Sequence, residues 1–317
     1  MVQLGRELGR MKCLVTGGAG FIGSNLVDRL VKDGHDVVSV DNYSTGKKSN
    51  EQDGCTYISA DVQDMEFWGR RLEKMNKIPE VIFHLAAKAR VQPSIENPIE
   101  FHNTNVNGTL NLLNMCVKYG VKRFVYSSSS SVYGNVEQLP TPEEHPLNPM
   151  SPYALQKLIG EQYCKLYSEL YGLETTCLRY FNVYGDGMSL EGAYKLVIPI
   201  FTEQLLNGNP MTINGDGENR RDFTYVGDVV DANIKAGFNV KIPIFKCEGD
   251  VFNIGNGNNR SVNQIADLIG GDRVNVNPVI EPKETLADNS KAKRVLGWET
   301  TTKIEDWITK YKEEIGL

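Results

Sequence analysis

The sequence predicts a doubly wound, parallel α/β fold followed by a smaller α+β region. Three observations carry this. Short apolar runs alternate with longer helical patterns through the first half of the chain. A glycine turn at Gly17, Gly20 and Gly23 joins the first run to the first helical pattern. After about residue 183 the rhythm changes, and Gly and Asn punctuate 207–219 and 255–259.

The strands expected are Lys12–Thr16, Asp36–Val40, Thr56–Ser59, Val81–Leu85, Arg123–Ser127 and Thr175–Arg179. Most are continuous apolar runs, as a sheet covered on both faces requires. Between them lie helical patterns at 21–33, 64–75, 98–119 and 152–171, and shorter ones follow at 194–206, 227–237, 261–269 and 303–315. The division expected is a dinucleotide-binding Rossmann domain over 11–182 and a substrate domain over 183–317. Val251–Ile254 is the segment that reads as able to return to the first domain.

Composition narrows the function. The 317 residues are 40% hydrophobic and 23% charged, with a net charge of −6, values of an ordinary globular protein. An acidic chain of this kind lacks the basic face of a nucleic-acid binder. No apolar stretch approaches the ~20 residues that span a bilayer, and residues 1–10 lack the apolar stretch of a secretory signal. Six scattered cysteines with no Cys-x-x-Cys pair point to reduced thiols and a cytoplasmic location. The four histidines are equally dispersed, and no metal-ligand spacing appears.

The glycine turn carries the first chemistry. Glycine permits the tight turn and lets backbone N–H groups approach a pyrophosphate, and the following helix adds positive charge at its N-terminus. Phe21 and Ile22 complete the turn, and Gly23 allows close packing of helix on sheet. Asp41, 18 positions after Gly23, ends the second strand and can bond the adenosine ribose hydroxyls. Its charge would repel a 2′-phosphate, which favours NAD over NADP. Asp61, ending the third strand, can bracket the adenine or cap a helix.

The second chemistry lies in Ser151-Pro152-Tyr153-Ala154-Leu155-Gln156-Lys157. Ser151 suits an N-cap and Pro152 a first turn. Tyr153 and Lys157, at i and i+4, share one helix face. A phenol with a pKa near ~10 is a poor base at neutral pH, but a neighbouring ammonium stabilises the phenolate. Tyr153 can then take a proton from a sugar hydroxyl. The serine run 127–131 ends a strand at the carboxyl edge of the sheet, where ligands of doubly wound folds bind, and offers a hydroxyl to complete a triad.

With these motifs the chain resembles an extended short-chain dehydrogenase/reductase, most similar to the UDP-glucose and UDP-N-acetylglucosamine 4-epimerases. The resemblance runs from Met11 onward. Its further markers are Asp41–Gly46, His84–Ala87, Asn105–Thr109, Leu178–Asn182, Arg221-Asp222-Phe223 and Ala287–Ala292. It implies Ser129 as the catalytic hydroxyl, Tyr153 as base and Lys157 as its partner. It implies NAD contacts from the glycine turn, Asp41, Asn42, Ser44, Thr45, Gly46, Asp61, Val62, Leu85, Ala86, Ala87, Asn105, Tyr180 and Phe181, besides Tyr153 and Lys157. For a UDP-sugar it implies Lys88, Ser129, Tyr153, Asn182, Val197, Asn214, Arg221 and Thr285. A homodimer built on helices 98–119 and 152–171 is implied as well.

The same resemblance separates related chemistries. The 4,6-dehydratases carry an Asp-Glu pair after the catalytic hydroxyl, and the decarboxylases a glutamate at the second of those positions. Here both positions are serine, Ser130 and Ser131, which leaves epimerisation through a 4-keto sugar. A 4-reductase or 2-epimerase shares the triad, and an NAD-binding sensor shares the fold. Thr285, three before Asp288, occupies the position that gates N-acetyl sugars. The arginine usual in the segment before it is missing from Pro278–Glu284, where Lys283 is the available cation.

Overall fold

The computed structural model describes residues 9–188, 196–238, 250–278 and 282–317. The chain begins β1 (Lys12–Thr16), α1 (Phe21–Lys32), β2 (Asp36–Asp41), β3 (Cys55–Ser59), α2 (Met65–Lys74) and β4 (Val81–His84). It continues α3 (Val91–Glu96), α4 (Pro98–His102), a π-helical turn (Asn103–Asn107), α5 (Gly108–Tyr119), β5 (Arg123–Ser129), α6 (Pro152–Tyr171) and β6 (Glu174–Tyr180). Then come β7 (Val183–Tyr184), α7 (Val197–Leu206), β8 (Met211–Asn214), β9 (Arg220–Asp222), β10 (Thr224–Tyr225) and α8 (Val226–Phe238). β11 (Asp250–Ile254), β12 (Asn259–Ser261), α9 (Val262–Ile269), β13 (Arg273–Val276) and α10 (Ile304–Ile315) complete it.

Seven parallel strands form the central sheet in the order β11-β6-β5-β4-β1-β2-β3. The strand order reverses between β1 and β4, so a crevice opens beyond their carboxyl ends. The expected α/β fold is therefore what the chain adopts. The inner strands bury both faces. Val15, Phe83 and Val125 pack with Leu26, Leu30, Val229 and Trp298 on one side. Leu14, Ile82 and Phe124 pack with Trp68, Leu112, Leu113 and Cys164 on the other. This is why the strands read as unbroken apolar runs. A separate cluster of Tyr184, Ile198, Phe201, Met211, Ile213, Ile265 and Trp307 holds the smaller region together.

The chain returns to the sheet repeatedly after residue 183. β11 pairs with β6, from Asp250 opposite Thr176 to Ile254 opposite Tyr180. Val226, Val229 and Val230 of α8, and Trp298 near the C-terminus, join the apolar layer on one sheet face. Val251–Ile254, read as able to return to the first domain, thus lies in the central sheet. The helical pattern 98–119 is also interrupted, by the π turn that holds Asn105. Residues 194–195 of the expected helix 194–206 lie outside the described residues.

Candidate active site

At the reversal point the β1–α1 turn makes a cradle that side chains would fill. Gly17 takes φ +76°, and a Cβ there would lie 2.8 Å from the Ala86 nitrogen. A Cβ on Gly23 would lie 2.0 Å from the Gly17 carbonyl oxygen. Gly20 caps α1 without a side-chain bond to its first turn, leaving that helix end to a ligand anion. Phe21 and Ile22 pack back onto the core.

Asp41 fixes this turn from the next strand. One carboxylate oxygen accepts the Ala19 N–H at 2.9 Å and the other the Tyr43 N–H at 2.8 Å. The Ala19 carbonyl in turn accepts from the Lys47 N–H at 3.1 Å and the Asn50 amide at 2.9 Å. The segment 42–50 thus folds over the glycine turn, and Gly46 permits the contact, since a Cβ there would lie 2.9 Å from the Ala19 carbonyl carbon. The result is a cavity of about 100 Å³ lined by Gly17, Gly20, Asp41, Asn42, Ser44, Thr45, Val62, Leu85, Ala86, Ala87 and Lys88, among others. A glycine cradle, a helix N-terminus and the Asp41 carboxylate on the cavity wall fit NAD.

The far wall is held by a buried chain of hydrogen bonds. The Ala86 N–H meets Thr16 Oγ1 at 3.2 Å, and Thr16 Oγ1 meets His84 Nδ1 at 2.7 Å. His84 Nε2 meets Thr109 Oγ1 at 2.9 Å, and Thr109 donates to the Asn105 carbonyl at 2.6 Å. That sequence of donors requires neutral His84 protonated at Nε2. Burial first, then the charge of Lys157, lowers its pKa to about 3. Asn105 clamps the cavity-lining Lys88 backbone in both directions, at 2.8 and 2.9 Å, and bonds Gln156 of α6 at 2.9 Å.

α6 presents the expected pair, Tyr153 and Lys157. Ser151 caps it by accepting the Ala154 N–H at 3.1 Å, with Pro152 in the first turn. Buried Ser94 of α3 accepts the Tyr153 N–H at 3.1 Å. The Tyr153 phenol is raised by burial, while a hydrogen bond with Ser129 and the charge of Arg90 act the other way. Lys157 donates to the Ser127 carbonyl at 2.8 Å and lies 6.0 Å from the Tyr153 ring centroid. Burial lowers its pKa to about 8, against which the Glu161 carboxylate acts. Ser129, Tyr153 and Lys157 therefore meet at the carboxyl end of β5.

Across the cleft, distant segments converge. Thr285 Oγ1 accepts the Asp222 N–H at 3.2 Å and lies 3.4 Å from the Asn182 amide. The Arg221 guanidinium donates to the Arg220 carbonyl at 2.8 Å and faces the Lys283 carbonyl at 3.5 Å. Asp222 directs its carboxylate to the backbone N–H groups of Asn256, Gly257 and Ala287, at 2.7, 3.0 and 2.9 Å. Val197 begins α7 beside the smaller apolar cluster, and Asn214 is exposed at the end of β8.

Several expected contacts take different places. Asn105 is buried behind the Lys88 loop and acts through it. The Tyr180 hydroxyl points to Ser127 and Asn233, at 3.0 and 2.8 Å. Phe181 is buried with Val132, Tyr133 and Ala287. Asp61 caps a short 3-10 turn through the Gln63 N–H and accepts from Asn42 at 2.8 Å, with its neighbours Ala60 and Val62 on the cavity wall. Lys88 lines the cofactor cavity and pairs with Glu100 at 2.7 Å. Gly160 escaped the sequence reading. A Cβ there would strike the Tyr126 hydroxyl at 2.2 Å, so glycine lets that ring lie beneath Lys157, 5.1 Å from its ammonium.

Comparison with known proteins agrees. Residues 13–255 match the profile of the NAD dependent epimerase/dehydratase family. The UDP-glucose 4-epimerase of Mycolicibacterium smegmatis is 38% identical over 96% of this chain and 98% of its own length. The Thermotoga maritima UDP-glucose 4-epimerase, solved with UDP-glucose, superposes with a TM-score of 0.88 at 39% identity, covering 97% of this chain and 100% of that one. The UDP-N-acetylglucosamine 4-epimerase of Methanobrevibacter ruminantium, solved with UDP-N-acetylmuramic acid, gives 0.84 at 34%, covering 97% and 99%. The chain belongs to the NAD dependent epimerase/dehydratase family, as an NAD-dependent epimerase of the extended short-chain dehydrogenase/reductase type.

Proposed function

We propose that this enzyme inverts C4 of a UDP-hexose through a transient 4-keto sugar. The observation that carries the reading is the meeting of Ser129, Tyr153 and Lys157 beside the glycine cradle, with only serines at 130 and 131. Tyr153 takes the proton from the C4 hydroxyl and later returns it. Ser129 holds the same oxygen, and Lys157 supplies the positive charge that favours the phenolate. Bound NAD supplies the hydride acceptor and donor. Ser130 and Ser131 cannot act as the acid and base that elimination of water needs, which disfavours a dehydratase.

On the substrate side, Asn182 and Arg221 are the proposed diphosphate contacts, a forked guanidinium suiting phosphate oxygens. Thr285 is small enough to admit an N-acetyl group, so both UDP-glucose/galactose and their N-acetylated forms are proposed substrates. The enzyme is further proposed to be a homodimer. Exposed Ile99, Met150 and Leu155 surround an apolar depression of about 550 Å³ at the start of α6, a patch of the kind that pairs with a second copy.

The test is incubation of purified protein with each of the four UDP-sugars, without added NAD, followed by NMR. Interconversion of the C4 epimers is expected. Net reduction, or inversion at C2, would replace this reading with the 4-reductase or 2-epimerase alternative.

A further inference from the structure

One turn beyond Lys157, α6 buries a carboxylate that the reaction itself does not call for. Glu161 and Arg179 of β6 are each 3% exposed and form a double contact, Nε to Oε1 at 2.9 Å and Nη2 to Oε2 at 2.7 Å. Ser128 Oγ donates to Glu161 Oε1 at 2.5 Å. The network continues through Arg179 Nη1 to the Tyr133 hydroxyl at 2.8 Å, and from there to Asn253 Oδ1 at 2.7 Å. Asn253 ends it on the carbonyls of Thr141 and Asp288, at 2.9 and 3.2 Å.

A buried ion pair adds little stability over apolar residues of the same volume. Its place in the sequence suggests another use. Ser128 stands between Ser127, whose carbonyl receives Lys157, and Ser129, which bonds Tyr153. The bond from Ser128 to Glu161 therefore sets the strand carrying the triad serine against the helix carrying the tyrosine and lysine.

We propose that Glu161 is a positioning residue for this pair: through Ser128 and Arg179 it fixes β5 against α6, and its negative charge keeps Lys157 an ammonium beside Tyr153. The proposal rests on the 4-epimerase reading. The groups around the pair are Tyr153 and Cys164 on α6, Tyr126 on β5, His84 on β4, Cys177 and Arg179 on β6, and Arg90 at the start of α3. His84 is held neutral and the buried Cys177 thiol is raised far above its ordinary value, so Glu161 is the foremost charge acting against desolvation at Lys157.

Three NAD-loaded proteins test this: wild type, Glu161→Gln, and Glu161→Gln/Arg179→Gln, the last leaving no lone buried charge. Tyrosinate absorbance, with Tyr153→Phe as blank, reports Tyr153 without any sugar. In Glu161→Gln its titration is expected to shift by about one pH unit, and by less in the double variant, which loses a cation together with the anion. Turnover at neutral pH is expected to fall about tenfold at little-changed KM, and the alkaline limb of kcat to move to lower pH. A folded, NAD-loaded variant with wild-type titration and wild-type pH limbs overturns the proposal. If neither charge variant folds, Ser128→Ala decides: about a tenfold loss of kcat supports the proposal, and a kcat within twofold of wild type overturns it. Wild-type protein that turns over no UDP-sugar, yet shows the shifted Tyr153 titration in the variants, defeats only the epimerase reading.

Discussion

Lys157 Nζ lies 2.8 Å from the carbonyl oxygen of Ser127, buried at the end of the strand that carries Ser129. Burial lowers its pKa to about 8, so between pH 8 and 10.5 the unfolded chain binds more protons there and stability rises with pH. Below pH 8 the buried ammonium costs stability. Lys157→Met is therefore expected to lose turnover by roughly 10²–10⁴-fold while its melting temperature at pH 7 stays equal or rises by a few degrees. Thermal unfolding beside NMR turnover checks both. A large drop in melting temperature would mean that the bond to Ser127 outweighs desolvation.

The glycine cradle makes a separate prediction about cofactor retention. A Cβ on Gly23 would sit 2.0 Å from the Gly17 carbonyl oxygen, so Gly23→Ala must push the turn into the space proposed for the pyrophosphate. The variant is expected to purify with little or no NAD, and to lose turnover in proportion. Absorbance and fluorescence of the released nucleotide measure it. By contrast Gly120 has open space around its Cβ position but a φ of +68°. Gly120→Ala should lower stability by about 1 kcal/mol and leave bound NAD unchanged.

The apolar surface at the start of α6 predicts the assembly. Ile99 is 76% exposed and Leu155 48%, and a charge at either place would be buried unpaired in a dimer. Ile99→Glu and Leu155→Glu are expected to halve the mass seen by light scattering. A wild-type monomer at micromolar concentration would remove the dimer proposal.

Much of this was legible in the sequence because local rules and tertiary demands agree. The strand cores are mostly apolar because both sheet faces are covered, and the glycines at 17 and 23 stand where no Cβ fits. Tyr153 and Lys157 share a helix face by spacing alone. The roles of Asn105, Tyr180 and Glu161 were not legible, because each acts through partners far along the chain: Lys88, Asn233 and Arg179. Asn105 sits in a π turn that periodicity reads as plain helix. The apolar run Val251–Ile254 marked a possible return to the sheet, but its partner was not legible, since β11 pairs with β6 across about 70 residues, which a window of local pattern cannot contain.

Thr285 tests substrate size. Its hydroxyl accepts the Asp222 N–H at 3.2 Å and lies 3.4 Å from the Asn182 amide, so a substitution there changes both volume and hydrogen bonding. Thr285→Val separates them, since it keeps the volume and loses the acceptor. Thr285→Tyr is expected to lower turnover of N-acetylated sugars by at least about tenfold relative to glucose and galactose forms, a loss of ~1.4 kcal/mol or more in discrimination. Thr285→Val should slow both classes alike. Equal losses with Tyr would end the gate idea.

Asp222 offers the sharpest pH test. Its buried carboxylate accepts one backbone N–H on Oδ1, from Asn256, and two on Oδ2, from Gly257 and Ala287. Burial raises its pKa to about 6 in spite of these donors. The folded protein therefore binds more protons than the unfolded chain between about pH 4 and 6, and the stabilising contribution of this group is lost as pH rises through 6. An asparagine must turn its NH₂ toward one set of N–H donors, so Asp222→Asn is expected to cost roughly 1–3 kcal/mol at pH 7. Asparagine does not titrate. The stability gap between wild type and variant should then widen by about 1–3 kcal/mol from pH 7 to pH 4, as urea unfolding at each pH would show. Because the carboxylate ties 256–257 and 287 to the strand holding Arg221, the sugar KM should also rise while NAD stays bound. A gap that is constant with pH would show that Asp222 titrates alike in the folded and unfolded chain.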